Sequence, residues 1–73
     1  MKISARYRKV VEEVIEVDDK FEKMADDELP WEDYTKLRKE LFKDIGKKTE
    51  CDYYEDIIDA YSEDTGELLY EWN

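Results

Sequence analysis

The chain has 73 residues, with 12 basic and 22 acidic side chains, a formal charge of −10 and a pI near 4.4. A chain this short forms one domain and buries only about 60% of the surface its unfolded form exposes, so its stability is marginal without help. The charge repels nucleic acid and anionic membrane as direct ligands and favours a basic protein surface as partner.

Histidine is absent and there is one cysteine. That removes the usual general base, the usual zinc ligands, the Ser-His pairing and any internal disulfide. Cys51 is expected as a reduced, partly packed thiol in cytosol. Gly46 and Gly66 are isolated, so there is no phosphate-cradling loop. Glu63-Asp64-Thr65-Gly66-Glu67 lacks the alternating acids of a calcium loop. Carboxylate pairs abound, but a chain of this length offers no substantial cleft. No catalytic residue, cofactor or metal is therefore expected, and the chain is not expected to be an enzyme. No apolar run approaches the roughly 20 residues needed to span a bilayer, and charge rather than an apolar stretch follows Met1. The 47% charged residues lean toward disorder. Ten aromatics and clear periodicity lean toward a folded, soluble domain.

Residues 2–17 read two ways. Six of the eight odd positions from Ile3 to Val17 are apolar, which suits a half-buried strand. Tyr7, Val10, Val14, Val17, Phe21 and Met24 also step by three and four, which suits a helix. Composition favours the strand, because all four valines fall between 10 and 17 and none of the five leucines does. The alternation slips near Lys9–Val10, where a bend or bulge is expected. Asp18 and Asp19 can cap a short helix over 19–25, with Phe21 and Met24 inward.

Residues 30–45 predict the main helix. Pro30 suits the first helical position, and Trp31, Tyr34, Leu37, Leu41, Phe42 and Ile45 make one apolar stripe. Acids cluster at its start and lysines at its end, and Gly46 suits a left-handed stop. Residues 54–62 and 67–72 then predict a hairpin around Ser62–Glu67, with Gly66 supplying the positive φ. The expected register sets Tyr61 by Leu68, Asp59 by Tyr70 and Ile57 by Trp72. Ile57, Tyr61, Leu68, Tyr70 and Trp72 then form a core face, on which Asp59 sits badly. A helix over 53–61 is a competing reading. The expected class is α+β: a three-stranded antiparallel sheet of one long N-terminal strand and the C-terminal hairpin, packed on one main helix. The alternative is two antiparallel helices followed by a hairpin.

The charge is unevenly placed. Residues 1–25 carry six basic and six acidic groups, and residues 26–49 carry six and seven. From Glu50 onward there are nine carboxylates and no Lys or Arg. Carboxylates two apart on one strand face lie about 6.6 Å apart, similar to phosphates along one strand of nucleic acid. Such an array could fill a Lys/Arg groove, with fast, salt-sensitive association. The candidate binding residues are Glu55, Asp56, Asp59, Glu63, Asp64, Glu67 and Glu71.

An alternating first segment, a Val-Asp-Asp helix start, a charged helix and a Thr-Gly-Glu hairpin resemble, in style over the whole chain, small acidic accessory proteins of phages and mobile elements. Those include anti-restriction and anti-CRISPR inhibitors. The resemblance implies a cytoplasmic inhibitor of a host nucleic-acid-binding protein. The other class of function open to the sequence is an adaptor that pairs with a protein, or with a second copy as a homodimer, through an exposed sheet edge.

Overall fold

The computed structural model describes residues 1–8, 11–51 and 53–72. Four strands, β1 (Lys2–Tyr7), β2 (Val11–Glu16), β3 (Ile57–Ser62) and β4 (Leu68–Glu71), form one antiparallel sheet in the order β2-β1-β3-β4. A 3₁₀ helix (Asp19–Ala25) and the helix α1 (Trp31–Lys48) run between β2 and β3 and pack on one sheet face. The class is α+β, and the expected pairing of the N-terminal strand with the C-terminal hairpin is present as β1 beside β3. No helix among the described residues is long and apolar enough to cross a membrane.

The one long strand expected over residues 2–17 is instead a hairpin, which makes the sheet four-stranded. Arg8 takes φ +55, the left-handed conformation that reverses the chain, and its N–H donates to the Asp56 carbonyl at 2.7 Å. The bend expected at Lys9–Val10 falls outside the described residues. β2 returns with Val11 opposite Tyr7 and Ile15 opposite Ile3. Paired residues therefore share parity, so the alternation passes through the reversal unchanged. Ile3, Ala5 and Tyr7 are buried on one arm, and Ile15 and Val17 on the other.

The 3₁₀ helix lies where expected. Asp18 accepts the Lys20 N–H at 2.8 Å as its cap, and Phe21 and Met24 are buried. α1 begins at Trp31, with Pro30 outside it as the cap residue, and continues through Gly46 to Lys48. Thr49, not Gly46, ends it. The Thr49 N–H and hydroxyl both donate to the Ile45 carbonyl, and the hydroxyl accepts the Cys51 N–H at 3.1 Å. Leu41 and Ile45 are the buried helix residues, flanked by half-buried Tyr34, Leu37 and Phe42. Trp31 leaves the expected stripe: it is 68% exposed and lines a groove with residues of β4. Cys51 is buried and its thiol donates to the Tyr53 carbonyl.

Two bulges reset the C-terminal hairpin. Tyr61 pairs with Leu68 as expected, but Ala60 then pairs with Tyr70 and Asp59 with Glu71, leaving Leu69 as the extra residue. A second bulge leaves Ile58 extra, between Ile57 opposite Tyr7 and Asp59 opposite Arg6. The core face of this hairpin is therefore Ile57, Ala60, Leu69 and Tyr70, all buried. Tyr61, Leu68 and Trp72 point away from the core. Tyr70 meets Phe42 of α1 edge-on, with ring centroids 4.8 Å apart. Residues 54–56 form a short 3₁₀ turn, which is all that the competing helix over 53–61 becomes.

Candidate protein-binding surface

Strand alternation leaves the sheet face away from α1 uncovered by any helix. Across it the pairing aligns two rows. One runs Val14, Ser4, Tyr61, Leu68; the other runs Glu12, Arg6, Asp59, Glu71. In the first row Val14, Tyr61 and Leu68 stay exposed, and the Ser4 hydroxyl donates to Glu12 at 2.6 Å. In the second row the Arg6 guanidinium clamps Asp59. Nε donates to both carboxylate oxygens, at 2.9 and 3.1 Å, and Nη2 donates to Oδ2. The hydrogen bonds to Asp59 raise the Arg6 pKa above its ordinary value. The Asp59 side chain is only 3% exposed while that of Arg6 is 49% exposed. Asp59 is thus neutralised inside the sheet and is not part of an outer acidic surface. The Ile58 bulge explains this placement: it turns Asp59 off the core face and toward Arg6.

The other candidate carboxylates separate into groups. Glu63, Asp64 and Glu67 are exposed on the β3–β4 loop. That loop is tightly fastened. The Ser62 N–H donates to the Glu67 carbonyl at 2.9 Å, and the Gly66 N–H to the Ser62 carbonyl at 2.8 Å. The Thr65 N–H donates to the Ser62 hydroxyl and the Glu67 N–H to the Thr65 hydroxyl. The Glu63 N–H donates to the Lys2 carbonyl of β1. Gly66 takes φ +77, as the turn requires. Exposed Glu16 and Asp19 stand at the same end of the sheet, where they and Asp64 raise the pKa of the Met1 ammonium, chiefly through its hydrogen bond to Asp19.

Glu55 and Asp56 precede β3 and so stand at its other end, roughly 20 Å from the loop at strand rise. Asp56 faces Arg8 at 3.5 Å. Glu71 is exposed on β4, opposite Asp59 in the row on the uncovered face. It lines a groove of about 540 Å³ between β4 and the start of α1. Trp31 and Trp72, 68% and 66% exposed, also line this groove, with Tyr34, Tyr70, Asp26, Asp27 and Arg38. Trp31 stacks on Tyr34 at 5.6 Å and carries the Arg38 guanidinium 5.6 Å from its ring. Tyr34 is held in place by its hydroxyl, which donates to the Leu69 carbonyl at 3.1 Å.

Residue reading alone missed the groove and the addition of Glu16 and Asp19 to the loop. Both depend on which elements the fold brings side by side. Two tryptophans 41 positions apart give no local signal that they share a wall. No protein-family model, curated protein or solved structure matches this chain.

Proposed function

We infer that this chain is a small acidic binding protein that inhibits a nucleic-acid-binding protein by occupying its basic groove in place of nucleic acid, as a phage-type anti-defence or takeover inhibitor acting in the host cytoplasm. The reading is one of binding, not catalysis. The observation that carries it is the fastened β3–β4 loop. Glu63, Asp64 and Glu67 stand exposed on a backbone held by five hydrogen bonds, so their charge is preorganised. Glu55 and Asp56 stand at the other end of β3, with Asp56 beside Arg8, Glu71 stands on β4, and Asp59 is held by Arg6, so the loop carboxylates lead the surface.

The test compares immobilised wild type with the triple variant Glu63→Lys, Asp64→Lys, Glu67→Lys in capture from host lysate at low salt and at roughly 0.5 M salt. A partner that is retained only by wild type and at low salt, and that loses nucleic acid when the acidic protein is added, supports the reading. Equal capture by the triple variant removes it.

A second reading, an adaptor that pairs with a protein or with its own copy, is favoured by the exposed row of Val14, Tyr61 and Leu68 on the uncovered sheet face. It requires mass that rises with concentration and association that survives high salt. A monomer at all concentrations removes the homodimer.

A further inference from the structure

The geometry points to the groove between β4 and the start of α1 as a receptor for an arginine side chain of a basic protein partner. The inference rests on the proposed function only for the source of that arginine. The chemistry of the groove stands by itself.

Its walls are aromatic. Trp31 and Trp72 are the only two tryptophans of the chain, both are mostly exposed, and both line this groove, Trp72 also bordering Arg8, Glu55 and Asp56. Two large rings left in water cost hydrophobic free energy that the fold does not recover elsewhere, which is the mark of a contact surface. Its rim is acidic. Asp26 and Asp27 approach from the loop after the 3₁₀ helix, against the one guanidinium of Arg38. With the Glu71 side chain in the row beside Asp59, the rim holds two carboxylates and one cation, a net charge of −1. Aromatic faces beside unneutralised carboxylates select a cation, through the ring quadrupole and direct charge pairing together.

The choice of arginine over lysine follows from planarity. A guanidinium stacks on an indole and still directs its N–H groups sideways to carboxylates, whereas an ammonium does only one of these well. Arg38 on Trp31 already displays that mode within the chain. The groove volume of about 540 Å³ is enough for a side chain and its flanking backbone.

The experiment is a titration of the wild-type chain with capped tri-arginine peptide in 0.15 M salt, followed by tryptophan emission. Both fluorophores line the groove, and Trp72 also borders Glu55 and Asp56, so a saturable change is assigned to the groove only if the groove variants below weaken it. Calorimetry gives the affinity independently of the fluorophores. Expected are saturable binding, weaker binding of capped tri-lysine, and no binding of capped tri-glutamate. Trp72→Ala should weaken tri-arginine binding about fivefold, on the scale of one cation–π contact. Asp27→Asn, an exposed and nearly isosteric change, should weaken it about threefold, on the scale of one charge pair at the surface. Circular dichroism confirms that both variants keep the fold. A linear, non-saturating response, or unchanged affinity in both variants, overturns the site. Equal affinity for tri-lysine overturns the arginine assignment. No nucleic acid or partner is present, so failure here leaves the loop reading of Glu63, Asp64 and Glu67 to its own test.

Discussion

The Arg6–Asp59 pair permits an asymmetric stability prediction. Asp59→Asn keeps the shape of the side chain but removes its charge and puts an NH₂ group, which cannot accept, where one of the two acceptor oxygens stood. The carboxylate now takes three hydrogen bonds from Arg6. A hydrogen bond to a charged group is worth about 1.5–3 kcal/mol, and the cost here belongs at the lower end because the freed guanidinium can turn to water. About 1.5 kcal/mol in a domain of this size lowers the melting temperature by roughly 10 °C. Arg6→Met should be worse. It leaves a carboxylate that is 3% exposed without its guanidinium partner. The double variant Arg6→Met with Asp59→Leu should recover most of the loss, since replacing both members of a buried pair with apolar groups is close to neutral. Urea denaturation of the four proteins closes a double-mutant cycle. If Arg6→Met costs less than Asp59→Asn, or if the double variant loses the sum of both, the account of a buried, clamped carboxylate is wrong.

The Leu69 bulge predicts opposite tolerance at neighbouring positions: Leu68→Lys should fold normally, and Leu69→Lys should abolish the cooperative thermal transition, because only Leu69 is in the core. Gly66→Ala should destabilise by about 1 kcal/mol in urea, purely from its positive φ, since a Cβ there would meet no atom within 4 Å. Stability should decline above pH 10. The Tyr7 hydroxyl is raised by its hydrogen bond to Glu13 and by burial, and those of Tyr34 and Tyr70 by burial. The unfolded chain therefore ionises first, and stability present below about pH 10 is lost as pH climbs toward the folded values. Urea midpoints that stay flat from pH 9 to 11 would contradict this.

The sequence alone was enough to place most of the local structure. The Asp18 cap with Phe21 and Met24 inward, the amphipathic run from Trp31 to Ile45 and the Gly66 turn all depend on neighbours a few positions apart, so composition and spacing reveal them. The reversal at Arg8 was not legible for a specific reason. No glycine or asparagine marks it, and a loop that pairs Tyr7 with Val11 keeps odd residues on the core side of both arms. A single strand and a hairpin then share one hydrophobic pattern. The β3–β4 register failed for a related reason. A bulge adds one residue without changing composition, and it decided whether Asp59 or Ala60 faced α1. Gly46 carried a stop signal that the packing of α1 and the Thr49 cap overrode. The acidic C-terminal third was plain in the sequence, but its division was not. Tertiary structure set Asp59 under Arg6, Glu63, Asp64 and Glu67 at one end of the sheet, and Glu71 opposite Asp59 on β4. A count of carboxylates gives the total field, and only the meeting of distant strands sets where each charge stands and what screens it.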